Sequence, residues 1–286
     1  MKKRVWGLVG CFVAGGFLGR ELERRHTLGI PLLGEAKAAQ PPRIPQIMRY
    51  GFPSNTNIKE RGNYVLSYDR RNRNPNWVFE HLTKDIVAKT EDSADRTNIN
   101  FIEDQTIPKI FRSTNRDYLN SGYDRGHMAA AANHRADQYW MEETFLLSNI
   151  SPQHPHFNRN AWNNLERYVR SLAFHYENVY VCTGPLYLPM RMPDGKSYVT
   201  YEVLEPNHVA VPTHFFKVVL LETGGDFALR SYVMPNREVD PSTPLREFEQ
   251  PIEAIEKSAG LLFLSGLPSA QQRNIVQNQS RRLRAF

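Results

Sequence analysis

The strongest constraint on the fold is the order in which two hydrophobic periods follow each other along the chain. One long stretch, Asn160–Tyr176, carries apolar residues at helical spacing: Trp162, Leu165, Val169 and Leu172, with no Gly or Pro between them. Around it lie runs with strand character. Tyr64–Tyr68 and Trp77–Leu82 alternate apolar and polar residues, and Asp69–Asn76 between them is full of turn formers, which predicts a hairpin. Further strands are predicted at Asn178–Thr183, Tyr198–Leu204, Ala210–Pro212, Phe215–Leu221 and Phe227–Met234. Pro251–Ser258 reads as a short helix and Gly260–Leu264 as a last apolar piece. The polar, basic tail Gln271–Phe286, with Arg281, Arg282 and Arg284, reads as a solvated end. Strands that arrive in runs have few crossover helices to join them in parallel. The expected class is therefore α+β, with a mainly antiparallel central sheet and flanking helices.

At 286 residues the chain is long enough for one large domain or two small ones. Its formal charge of +6 invites a nucleic-acid reading until it is located. Residues 1–40 hold seven Lys/Arg and three Asp/Glu, a net of +4, so the other 246 residues carry only +2. Most of the basic excess belongs to a leader, and any basic surface of the body must be local. The leader opens Met1-Lys2-Lys3-Arg4, runs through an apolar and small stretch from Val5 to Gly19, and then meets Arg20, Arg24 and Arg25. That stretch is short against the roughly 20 residues of a membrane span. A secretory signal with Ala36-Lys37-Ala38 as a cleavage-like site is one reading, and a mitochondrial targeting or inner-membrane sorting segment is the other. Pro31, Pro41, Pro42 and Pro45 mark a linker, so residues 1–45 are set apart from a body at 46–286. Asn149-Ile150-Ser151 is a glycosylation sequon inside the segment that carries the chemistry, which favours a route avoiding the secretory pathway. With only Cys11 and Cys182, neither a disulfide scaffold nor a multi-cysteine zinc module is available.

That chemical segment is Ser121–Asn133, followed by Phe145–Gln153 and Phe157–Glu166. His127 sits between Gly126 and, after Met128, four alanines, small residues that permit close approach of a ligand. A neutral imidazole near pH 7 is suited to take a proton from water. If a helix starts near Asn158, then Asn158, Trp162, Glu166 and Arg170 form one stripe at i, i+4, i+8 and i+12. Amide, carboxylate and guanidinium make an odd core face, but a sensible one for holding a cation beside a phosphate. A neutral amide ligand leaves a divalent ion its full charge and several waters, which is Mg²⁺-like behaviour. One glutamate in the motif favours a single ion over a pair.

Asp124-Arg125-Gly126-His127, the Asn149 segment and the Asn158–Glu166 helix resemble the DNA/RNA non-specific endonuclease family with its ββα-metal (His-Me) finger. The likeness covers about residues 50–264. It implies that His127 is the general base and Asn158 the direct protein ligand of Mg²⁺, with Mn²⁺ able to substitute. Glu166 would orient waters around the ion, and Asn149 would fix the metal–histidine geometry. Arg125 and Arg170 would contact phosphate or hold the charges of the site, Arg96 would be the arginine upstream of the histidine motif that meets the transition state, and Asp124 would brace the loop. The resemblance further implies DNA and RNA substrates, 5′-phosphate and 3′-hydroxyl products and a homodimer. It also implies a mitochondrial address, with the leader against the inner membrane and the enzyme in the intermembrane space. Roles in mitochondrial DNA maintenance and, after nuclear release, in DNA fragmentation during cell death belong to the same implication.

Plainer readings stand beside these. Asn158 is also a favoured helix N-cap, Glu166 and Arg170 have the spacing of an ion pair, and Asn149 can satisfy a buried turn. His134, His154 and His156 suggest zinc but lack a ligand pattern. Trp77, Trp140 and Trp162 can stack on bases, but such residues are more often core anchors. The alternatives to a metal-dependent nuclease are an inactive nucleic-acid-binding relative and a metal-free ribonuclease using the 2′-hydroxyl. No sequence-reading module is present, so binding would rest on phosphates and weaken with salt.

Overall fold

A computed structural model describes residues 43–284. The leader and its suggested membrane contact lie outside the described residues. Residues 43–45, assigned to the linker by their prolines, belong to the folded body. Arg43 binds the side chains of Asn63 and His81, at 2.8 Å to His81 Nδ1, and Ile44 and Ile47 pack on the core beneath.

Six strands form the central sheet. They are β1 (Ile58–Glu60), β2 (Tyr64–Asp69), β3 (Asn74–Leu82), β6 (Asn178–Leu186), β11 (His214–Thr223) and β12 (Asp226–Pro235), in the order β1-β2-β3-β6-β11-β12. Every neighbouring pair is antiparallel. The predicted hairpin is β2–β3, and its turn is shorter than expected because Asn74 and Pro75 pair with Asp69 and Tyr68. A second pair, β4 (Asp124–His127) and β5 (Ile150–Gln153), stands apart from the main sheet. The expected strand Tyr198–Leu204 shrinks to fragments: β7 (Met190–Arg191) with β8 (Ser197–Tyr198), and β9 (Val203–Leu204) with β10 (Val209–Ala210). Here Tyr198, Val199, Tyr201 and Val203 are exposed, so the alternation has no core to point into.

The helices are α1 (Gln138–Glu143), α2 (Asn163–Leu172), α3 (Ile252–Ala259) and α4 (Ser269–Arg284), with several single helical turns between. Strand alternation splits the core in two. Val179, Val181, Phe215, Val219 and Leu221 face Trp162, Leu165 and Val169 of the α2 region. Tyr180, Cys182, Phe216, Val218 and Leu220 face Ile252 and Ile255 of α3 and Ile275 of α4. Both faces of the sheet are thus covered, which is why its inner strands read as almost continuous apolar runs.

The C-terminal tail corrects the sequence reading. It is a 16-residue helix, not a solvated end. Ile275 is buried, Gln279 Nε2 donates to Ser231 Oγ at 2.6 Å, and Arg282 pairs with Glu249 at 2.6 Å. Gly260–Leu264 forms no strand but seats Leu261, Phe263 and Leu264 in the same core. Trp77, Trp140 and Trp162 are all buried, so they serve as anchors and not as stacking platforms. No helix among the described residues is long and apolar enough to cross a membrane.

Candidate active site

The chemical residues are gathered by one local unit: β4, β5, a helical turn at Pro155–Phe157, a π-turn at Asn158–Trp162, and α2. In the β4–β5 pair His127 lies opposite Ile150 and Gly126 opposite Ser151. Gly126 is required by close approach, since a Cβ there would lie 2.1 Å from Gln153 Oε1. Asn149, fully buried just before β5, spends its whole amide on the backbone around His127. Its Oδ1 accepts from Ala129 N at 2.9 Å, and its Nδ2 donates to the carbonyls of Ala129 (3.0 Å) and Thr144 (2.8 Å). It therefore braces the segment after His127 and has no donor left for a ligand. The alanine run also differs from expectation: Ala129, Ala130 and Ala131 are buried, so their small size serves packing.

His127 is held by rings. Phe145 meets it edge-on with centroids 4.8 Å apart, and Phe101 lies 5.3 Å away. Its Nε2 is buried with no hydrogen-bond partner. Burial, then the charge of Arg96, then His134, push the imidazole pKa down to about 3. The ring is therefore neutral at physiological pH, the form able to accept a proton. Two exposed guanidiniums frame it: Arg96 lies over Phe145 at 5.5 Å, and Arg125 lies over Phe101 at 4.5 Å while donating to Asn115 Oδ1 at 2.7 Å. Phe101, Phe145 and Asn115 escaped the sequence reading because nothing in their local pattern marks them.

Asn158 opens the π-turn, which replaces the α-helical start expected there. The wider turn changes the phase of Asn158 relative to Glu166, so the two do not follow a simple i, i+8 stripe. Its Nδ2 donates to Asp124 Oδ2 at 2.9 Å. Only the NH₂ end can donate to a carboxylate, so Asp124 fixes which way the amide points and leaves Oδ1 as the free end. Arg159 holds the same carboxylate with two bonds, at 2.9 and 2.7 Å. Asp124 is thus more than a loop brace. Asp124→Ala should weaken the response to Mg²⁺ on the order of 10–100-fold, as loss of an outer orienting partner does. A Mg²⁺ titration of cleavage checks this, and an unchanged half-saturation point would refute it.

Glu166 sits half-buried on α2. Desolvation pushes its pKa up to about 7, opposed by the charges of Lys217 and Arg170. Arg170 does not form the simple i, i+4 pair: its Nη1 donates to Asn133 Oδ1 at 2.9 Å. Asn133 Nδ2 donates in turn to Glu80 Oε1 at 2.9 Å, which also meets His134 Nε2 at 3.2 Å. Arg170 therefore belongs to an interior charge cluster behind α2. His134 is consumed by Glu80 and by Asn63, at 3.0 Å from Asn63 Nδ2, and is no metal ligand. Among the described residues no group of three or more His, Cys, Asp or Glu gathers as a cage. One amide oxygen, turned outward by the Asp124 bond at the other end of the amide, fits a hard ion that keeps most of its waters, which is the behaviour of Mg²⁺.

A family model for DNA/RNA non-specific endonucleases matches residues 44–270. The chain is 51% identical over 248 residues to the mitochondrial endonuclease G of Bos taurus, covering 83% of this chain and 82% of the relative. It is 53% identical over 223 residues to the mitochondrial endonuclease G of Homo sapiens, covering 78% and 74%. The mitochondrial nuclease of Saccharomyces cerevisiae is 43% identical over 239 residues, covering 80% and 72%. Among solved structures, a chain of the EndoG/EndoGI complex, described as showing the mechanism of EndoG inhibition, superposes with a TM-score of 0.79 at 55% identity. It covers 82% of this chain and 96% of that one.

Proposed function

This chain belongs to the DNA/RNA non-specific endonuclease family and is a nuclease, and on that premise we propose that it hydrolyses phosphodiester bonds of DNA and RNA with His127 as general base and Asn158 as the protein's metal ligand. The observation that carries this reading is the amide of Asn158, oriented by Asp124, in the same ββα unit as a His127 whose pKa burial holds low and whose ring is neutral.

The chain's own groups account for most of the work. Arg96 and Arg125 are exposed guanidiniums beside His127, and planar guanidiniums bind phosphate oxygens through paired donors. They hold the scissile phosphate next to the imidazole. His127 takes a proton from an attacking water. The water oxygen bonds to phosphorus, the P–O3′ bond breaks, and the 3′-oxygen leaves as a hydroxyl once protonated, with the phosphate kept on the 5′ side. Asn149 keeps His127 in place through the backbone of Ala129, and Glu166 accepts hydrogen bonds from waters at the site. Asn158 would hold Mg²⁺, or Mn²⁺ in its stead, whose charge offsets that on the phosphoryl and leaving oxygens. Arg170 acts from behind, through Asn133.

Mapping the ends of cleaved DNA and RNA tests the reading. The expected products are 5′-phosphate and 3′-hydroxyl from both polymers. A 2′,3′-cyclic phosphate from RNA with no cleavage of DNA would replace it with the metal-free ribonuclease. A mitochondrial address, in the intermembrane space with release to the nucleus in cell death, is supported by the leader's composition and the names of the relatives. Residues 1–42 as leader and linker rest on their charge pattern and prolines, while a homodimer and roles in mitochondrial DNA maintenance and apoptotic fragmentation rest on the family resemblance.

A further inference from the structure

Lys217 is a buried charge that the mechanism above does not use. It sits in β11, opposite Thr183 of β6 and Tyr232 of β12, near the middle of the six-stranded sheet. Its exposure is 1%. Odd positions of β11 face the α2 side, where Phe215, Val219 and Leu221 pack, so the Lys217 side chain enters the layer between the sheet and the helix carrying Glu166. Its Nζ donates to Thr183 Oγ1 at 2.6 Å and lies 4.8 Å from the centre of the Trp162 ring. Trp162 closes the π-turn that Asn158 opens.

Glu80 reaches the same layer from β3. It is fully buried, its Oε1 is taken by Asn133 and His134, and its Oε2 has no hydrogen-bond partner. Burial pulls the Lys217 pKa down, and the charges of Glu80 and Glu166 oppose that pull. Folding alone gives little reason to keep this arrangement. Sets of buried charged groups are often matched or bettered in stability when all of them are replaced by apolar residues of similar volume.

We propose that Lys217, together with Glu80, is a positioning residue for the cleavage site: its ammonium, packed on Trp162 and hydrogen-bonded to Thr183, holds the Asn158–Glu166 segment in the arrangement that binds the divalent cation. The inference rests on the metal-dependent reading of that segment. A merely structural lysine would lose function only in step with folded protein. A positioning lysine separates the two.

The test is Lys217→Met in the full chain, which keeps length and removes charge. Mn²⁺ binding is followed by the resonance of free Mn²⁺, alongside thermal melting and turnover. The melting temperature is expected to fall, because the fully buried Glu80 loses its neighbouring cation, while Mn²⁺ affinity per folded molecule and turnover at fixed Mg²⁺, both taken well below the melting temperature, each fall about 10–100-fold. Thr183→Val keeps the shape of the site and removes only the hydrogen bond to Nζ, and is expected to weaken Mn²⁺ binding several-fold. Unchanged Mn²⁺ affinity in a folded Lys217→Met overturns the inference, as does a loss of Mn²⁺ binding no larger than the unfolded fraction at the assay temperature accounts for. If Lys217→Met does not fold, unchanged Mn²⁺ affinity in Thr183→Val overturns it instead. A wild-type chain that binds no Mn²⁺ overturns the metal reading as well, and is distinguishable from wild-type binding that Lys217→Met leaves untouched.

Discussion

Replacing His127 with alanine is expected to cut turnover by about 10²–10⁴-fold while leaving the fold and DNA binding in place. The range is the usual worth of a positioned general base, and it corresponds to roughly 3–5 kcal/mol of barrier. The fold should survive because His127 makes no buried hydrogen bond that would be orphaned. Its Nε2 has no partner, and the ring is held by Phe101 and Phe145, which still pack on each other at 5.0 Å. DNA binding should survive because Arg96 and Arg125 rest on those two phenylalanines and not on the imidazole. Single-turnover cleavage, melting and a filter-binding assay on the same preparation separate the three properties. Loss of binding in parallel with turnover would make His127 a binding residue instead of the base.

Asn158→Ala is expected to produce a loss of at least about 10²-fold, combined with a higher demand for Mg²⁺, because it removes the one oriented oxygen donor of the site. Asn158→Asp is the more informative variant. A carboxylate binds divalent ions well, so on charge alone it should rescue or improve binding. In this structure it should not. Asn158 must donate to Asp124 Oδ2 through Nδ2 as well as present an oxygen, and aspartate cannot donate. Two carboxylates would then face each other with only Arg159 between them and solvent. Asn158→Asp should therefore stay impaired, with Mg²⁺ titration as the check. Activity at the wild-type level would show that the Asp124 contact does not govern the amide.

The parts legible in the sequence are those whose signal is local. The β2–β3 hairpin follows from alternation around a run of turn formers, and the ordered set of His127, Asn149, Asn158 and Glu166 marks the ββα unit. What was not legible depends on contacts across the chain. Asp124 and Asn158 are 34 residues apart, and no spacing rule joins them. Helix α4 has the sequence pattern of a polar tail because its buried side includes Gln279, secured by hydrogen bonds to Ile252 N and Ser231, and hydrophobic periodicity misses a polar residue used as core. The π-turn at Asn158–Trp162 has no sequence signature of its own. The alternation at Tyr198–Leu204 does not specify a strand, because the pattern for a half-buried strand is equally that of an exposed loop with aromatic residues. The four charges behind α2, Lys217, Glu80, Glu166 and Arg170, come from four separate stretches of chain or turns of helix, and only the packed sheet brings them into one layer.

The formal charge illustrates the same point about address and chemistry. The body carries little net positive charge, so nucleic-acid recognition must come from placed groups such as Arg96 and Arg125. The most direct measurement of the site's chemistry is cleavage of supercoiled plasmid with Mg²⁺, after chelation, and after Mg²⁺ is restored, for the wild-type chain and for folded His127→Ala side by side. The expected result is cleavage that stops on chelation and returns with Mg²⁺ in the wild type, and that is nearly absent throughout in His127→Ala. Cleavage that persists through chelation, or that His127→Ala performs as well as the wild type, would contradict His127 as the base and Asn158 as the metal ligand.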